Sequence, residues 1–383
     1  MSGDRGPLGA GAARVLVAGQ FAAALALLLV FTELGSFVAL RLLAWRAAAL
    51  PLPQGTMPSY GGEPWADTFW REQRRQMSVE YRPFGLWRSR PFEGRTIVVG
   101  GDGLRRTVHS RCPADETVFL FGGSSVWGFG SPDWETLPSH LAARYEAAGR
   151  PACVVNYGED SWRIAQGAVE LLLELRRGRR PDRVVFVNGC NDVFTPFFLT
   201  GRADVEWDYA RAKPWLEELA RPGRGSFAFL EATNTWALLQ RARARLGGAA
   251  SHPSPPDPGG LARAVAEAYL RDMDVVEALG RSYGFRPLFV LQPLALAGSK
   301  RLTPEEEQGV RRQLGGSYEL GRDAVRRTYA LLRASGRGRL HDASDAFDAE
   351  PESVYIDACH FLPRGNRIMA ERLFTELSSG GPQ

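Results

Sequence analysis

The run "FGGSSVWGFG", Phe121–Gly130, places two adjacent serines among glycines, directly after the apolar run Thr117–Phe121 and before the helix-like "ETLPSHLAARYEAAG". A serine at a strand exit can attack a carbonyl if an imidazole takes its proton and a carboxylate orients that imidazole. The same kind of turn can instead hold a phosphate on its backbone amides. The phosphate reading fails on residue type: Phe129, not lysine, follows Gly128. The dinucleotide fingerprint fails too, because Asp133 stands where the third glycine after Gly128 and Gly130 belongs. The G-x-S-x-G elbow is also absent, since Ser125 and Val126 follow Gly122-Gly123-Ser124.

The base must come from five histidines. His109 and His140 lie in ordinary polar surroundings, His252 lies in a Pro/Gly-rich stretch, and His341 follows a weak apolar run. His360 differs, because Asp357 precedes it by three residues in "VYIDACHFLPRGNRIMA". That separation is about one helical turn, so both side chains can point one way and the carboxylate can fix the imidazole tautomer. The plain alternative is a helix-capping aspartate beside a surface histidine. For the oxyanion, "FVNGCNDVF" puts Asn191 just past a third apolar run, and "NYGEDSW", Asn156–Trp162, follows the second. Asn-Asp alone is a common turn pair. Trp127, Phe129 and Trp162 are candidate pocket aromatics, though such residues more often simply pack.

Positioning these residues requires a sheet. "TVFLF", "CVVN", "RVVFV" and "PLFVL", with a weaker run near Leu340, alternate with helix-period segments at 135–149, 162–177, 261–284, 304–335 and 364–379. Alternation of this kind predicts βαβ units and a parallel sheet covered by helices on both faces. Continuously apolar strands suit burial on both faces. In an open parallel sheet the ligand sits at the strands' C-terminal edge, where the serine, the second turn and Asn191 all fall. Residues 81–107 read as a cap on this domain, with a short hairpin turning at Gly101–Gly103. Residues 195–260 read as an insertion ending in the flexible loop 247–260.

The composition is that of a globular α/β protein, 44% hydrophobic and 23% charged over 383 residues. The pI is about 9.0, but a net charge of +4 with arginines scattered among acids gives no basic stripe, so no nucleic-acid partner is expected. The uncharged run Val15–Thr32 is about long enough to cross a bilayer. The alternative is a cleaved signal peptide ending at Ala47–Ala49, against which stands the usual h-region length of about 7–15 residues. We therefore divide the chain into a tail (1–14), a transmembrane anchor (15–45), a juxtamembrane segment and cap (46–115) and a main domain (116–380). A single N-terminal span of this kind predicts a single-pass membrane protein with an extracytoplasmic domain. Cys112, Cys153, Cys190 and Cys359 form no C-x-x-C pair, so no zinc site is expected, and buried thiols or disulfides both fit.

Taken in order, "FGGSS", "NYGEDSW", "GCND" and "DACH" resemble the blocks of the SGNH hydrolase family, also called GDSL-type esterases and lipases, across most of residues 117–379. The resemblance implies a flavodoxin-like three-layer α/β/α fold and serine acyl chemistry without metal or cofactor. It implies Ser124 as nucleophile, Asp357 and His360 as orienter and base, and an oxyanion hole built from Ser124, Asn191 and the Gly158/Ser161 turn. Two positions depart from the pattern. Gly123 replaces the usual aspartate, as in a membrane-linked bacterial subgroup, and Ser161 stands where the oxyanion glycine is usual. The expected function is hydrolysis of O-acyl esters, acetyl above all, on a small-molecule, carbohydrate or lipid substrate. The alternatives are O-acyl transfer to a glycan hydroxyl and a catalytically silent binding module on a membrane stalk.

Overall fold

The computed structural model describes residues 10–49, 57–84, 86–205, 233–246 and 255–379. His252, most of the loop 247–260, the middle of the insertion 195–260 and most of the tail 1–14 lie outside the described residues. The chain forms two compact units, one of Met1–Pro51 with Leu216–Ala250, the other of Leu52–Trp215 with Ser251–Gln383.

In the first unit, helix α1 spans Ala10–Ala49. Its stretch Arg14–Leu43 reaches a mean hydropathy of 2.3, long and apolar enough to cross a membrane, and that apolar surface is exposed. A signal sequence would pass the same test of length and composition.

The second unit begins with α2 (Ala66–Gln76) and two small antiparallel ribbons, β1 (Val79–Arg82) with β2 (Leu86–Ser89) and β3 (Phe92–Glu93) with β4 (Val98–Val99). The turn expected at Gly101–Gly103 is present, closed by a Val99–Arg105 bridge. Then come β5 (Thr117–Gly122), α3 (Ser124–Trp127), α4 (Leu137–Ala147), β6 (Cys153–Asn156), α5 (Ile164–Arg176), β7 (Arg183–Asn188) and α6 (Cys190–Phe194). After the insertion, which includes α7 (Asn234–Leu246) of the first unit, follow α8 (Pro258–Tyr283), β8 (Arg286–Leu291), α9 (Pro304–Leu314), α10 (Tyr318–Ala334), β9 (Leu340–Asp342) and α11 (Pro363–Ser379).

The five apolar runs pair in parallel in the order β6-β5-β7-β8-β9, the flavodoxin-like order. Alternate side chains feed the two faces. Phe119, Phe121, Phe186 and Phe289 pack with Leu171, Met273 and Val325 from α5, α8 and α10, whereas Val118, Leu120, Val185 and Val290 pack with Leu141 and Met369 from α4 and α11. The helical period 304–335 is not one helix. It breaks into α9 and α10 at Gly315, whose φ of +52° glycine tolerates at no Cβ cost.

Candidate active site

The order reversal falls between β5 and β7, and their C-terminal ends carry Ser124 and Asn191. Gly123 is extended and hands the chain into α3, whose first residue is Ser124. A Cβ at Gly123 would lie 2.5 Å from Asn191 Nδ2, so an aspartate there would require Asn191 to shift. Gly128 and Gly130, at φ +103° and +83°, return the chain behind the turn.

Ser124 Oγ lies 2.7 Å from His360 Nε2, and His360 Nδ1 lies 2.7 Å from Asp357 Oδ2. Ser124 is nearly buried, and the His360 side chain is 14% exposed, enough to meet a substrate. The Asp357–His360 juxtaposition is not made by a helical turn, as the spacing had suggested. It comes from a loop closed by a bond from the Ile356 N–H to the His360 carbonyl and a Tyr355–Phe361 bridge. Asp357 Oδ1 caps that loop by accepting the amides of Cys359 and His360. Burial alone would raise the Asp357 pKa, but His360 and these amides hold it below the usual carboxylate range. For His360 burial opposes the charged form, and the Asp357 carboxylate overrides it, so the imidazole titrates above its ordinary value.

Ser125 is turned away from this relay. Its hydroxyl donates to the Cys359 carbonyl and accepts from Gln292 Nε2, which also donates to that carbonyl. Sequence reasoning missed Gln292, and it missed Gln313, whose Oε1 accepts the Ala358 N–H.

The expected oxyanion donors fare differently. Asn191 lies against Gly123, and its Nδ2 donates to the Trp162 carbonyl at 3.0 Å. Ser161 has φ +62°, the left-handed conformation that explains glycine as the usual residue there. Gly158 is packed beneath the backbone of Val126 and Trp127, and its N–H donates to Asn156 Oδ1 at 2.9 Å, so that amide is already engaged. Of the three aromatics singled out, only Phe129 reaches the site, its ring 4.3 Å from that of His360. Trp127 and Trp162 are buried packing residues.

Both catalytic-edge turns are held from behind by residues 57–105. Arg105 is fully buried; Nε donates to Asp133 Oδ1, Nη1 to the Gly128 carbonyl and Nη2 to the Ser131 carbonyl. Its guanidinium lies 4.3 Å from the Trp127 ring centroid. Tyr60 donates to the Gly130 carbonyl. On the second turn, Glu159 accepts from the Ser89 N–H and hydroxyl, and Arg88 donates to the Tyr157 carbonyl and covers Trp162. No sequence signal marked these arginines, because their burial depends on partners far away in the chain.

Asp357, Cys359 and His360 offer ligand atoms within 4.8 Å of one another. Both imidazole nitrogens are engaged, by Ser124 and by Asp357, and contact with Cys190 together with burial keeps the Cys359 thiol protonated. The cluster therefore suits proton relay better than metal ligation. Cys112 and Cys153 form a disulfide, whereas Cys190 and Cys359 are buried thiols.

No family model matches the chain, and no curated protein matches it in sequence. Solved structures to which it is similar include an acetyl xylan esterase, at 15% identity and a TM-score of 0.36 over 68% of this chain and 99% of that one. A carbohydrate acetylesterase from Sinorhizobium meliloti gives 15% identity and a TM-score of 0.37 over 69% and 99%. A member of the lipolytic protein G-D-S-L family from Veillonella parvula gives 12% and 0.37 over 69% and 98%.

Proposed function

We propose that this protein is an SGNH-type serine esterase that hydrolyses O-acyl esters, acetyl in the first instance, of a carbohydrate or lipid alcohol. The observation that carries this reading is the continuous relay from Ser124 Oγ through His360 to Asp357, with 2.7 Å at each step, at the sheet's switch point. In this mechanism His360 removes the Ser124 proton as Oγ attacks the acyl carbonyl. Asp357 stabilises the imidazolium. The oxyanion draws on the Ser124 amide and the Asn191 side chain. His360 then protonates the departing alcohol, and water, deprotonated by His360, releases the acid from the acyl-enzyme.

The anchor is α1, which would keep the chain on a membrane as a single-pass protein. The Cys112–Cys153 disulfide favours an extracytoplasmic main unit, since such bonds persist in oxidising compartments. The test is labelling by a fluorophosphonate together with turnover of p-nitrophenyl acetate. Labelling and turnover that both vanish in Ser124→Ala are expected. A folded wild type inert to both would overturn the reading in favour of a silent binding module.

A further inference from the structure

We propose that Asp160 makes this site select by charge, accepting esters that are neutral or cationic near the scissile bond and rejecting those that carry a carboxylate or phosphate there. The inference rests on the esterase reading above and narrows its substrate class.

Asp160 sits on the turn after β6, between two residues whose places are accounted for. Glu159 points inward, fully buried, bonded to Ser89 and beside Arg88. Ser161 holds the left-handed position at the oxyanion turn. Asp160 alone is exposed, at the rim. The nearby cation Arg88 is committed to Glu159, Glu170 and the Tyr157 carbonyl. The turn adjoins the nucleophile loop, because the Trp162 carbonyl, two residues on, accepts from Asn191 Nδ2 at 3.0 Å and both lie against Gly123. Among the described residues the opposite charge acting on the Asp160 carboxylate is that of His360, and the Ser161 amide and hydroxyl draw on it as well. Crowding by protein atoms disfavours its ionised form, so it titrates above the ordinary aspartate range.

Among the described residues the groups that face His360 are Ser124, Asp357 on its own loop, the neutral Cys359 thiol, the Phe129 ring and Asp160 from the β6 turn. When His360 takes the Ser124 proton, Asp357 balances it. Asp160 is then an extra negative charge beside the place where the oxyanion forms. A second anion on the substrate adds repulsion during both approach and reaction, and a cation relieves it. At a rim open to water the effect is on the order of ten-fold per substrate charge, and salt reduces it.

The experiment compares kcat/KM of the full chain for three aryl acetates of like leaving group: phenyl acetate, 3-(trimethylammonio)phenyl acetate and 3-carboxyphenyl acetate. Wild type should prefer the cationic to the anionic ester by roughly ten- to a hundred-fold, a preference that shrinks in about 1 M salt. Asp160→Asn should collapse that ratio and Asp160→Lys should invert it. Hydrolysis of all three esters by wild type with no charge preference, or a preference that survives both substitutions, would overturn the role of Asp160 and leave the esterase reading intact. Failure to hydrolyse any of them, with no fluorophosphonate labelling, would remove the esterase reading and this inference together.

Discussion

Ser124 Oγ and His360 Nε2 lie 2.7 Å apart although 236 residues separate them in the chain. Ser125, one residue further on, spends its hydroxyl on the Cys359 carbonyl instead. Ser124→Ala should therefore abolish ester turnover with little loss of stability. Ser125→Ala should retain turnover while losing about 1–3 kcal/mol of stability, because it leaves Gln292 Nε2 short of a buried partner. Thermal melts and p-nitrophenyl acetate kinetics on both variants check this, and the reverse pattern would move the nucleophile.

The coupling of His360 to Asp357 sets the pH response. In the proposed mechanism the base is neutral imidazole, so activity should fall as pH drops through a pKa that Asp357 holds above the free value of about 6.5. In Asp357→Asn the acid limb should move to lower pH and kcat should drop steeply. Stability should run the other way. The contribution from His360 is fully present below its unfolded pKa and is lost as pH rises through the raised folded value. The contribution from Asp357 is present above its unfolded pKa of about 3.9 and is lost as pH falls through its lowered folded value. A pH–rate profile with an acid limb at or below free imidazole in wild type would contradict this coupling.

Asn191 and Ser161 separate charge stabilisation from backbone strain. Asn191→Ala should reduce kcat by about a hundred- to a thousand-fold with little change in KM. Ser161→Gly, which relieves a side chain held at φ +62°, should raise stability by about 1 kcal/mol and preserve turnover. A large loss of turnover in Ser161→Gly would show that the side chain itself takes part.

Arg105 and Asp133 form a fully buried ion pair behind the turn that carries Ser124. Removing Arg105 leaves the buried Asp133 with only the half-exposed Arg106 and the Val98 amide on its other oxygen, so Arg105→Ala should cost about 3 kcal/mol. It should also lower kcat, because the Gly128 and Ser131 carbonyls lose their donor. Denaturant unfolding and kinetics on the folded fraction measure both, and a variant as stable as wild type would exclude the clamp.

The apolar stretch Arg14–Leu43 should keep the full chain in the membrane fraction after carbonate extraction. Recovery of the full-length protein as soluble material would sink the anchor.

The sequence by itself determined the strands, the helix alternation and the edge on which the active-site blocks fall. Each of these depends on local apolar periodicity and on turn residues, and the runs at β5, β6, β7 and β8 carry that signal unbroken. Position in the block pointed to Ser124 rather than Ser125, but the partners that turn the Ser125 hydroxyl away, Gln292 and Cys359, arrive from other elements and were not legible. The period through 304–335 hid a helix break, because two glycines interrupt propensity without changing the apolar spacing. The Asp357–His360 pairing was read from spacing, but its loop geometry was not, because bonds such as that from Ala358 to Gln313 close it. Only the tertiary structure decided that Gly158 spends its amide on Asn156 and that Arg105 and Arg88 are buried clamps. A buried charge is stable only where distant partners satisfy it, and no stretch of local sequence contains those partners.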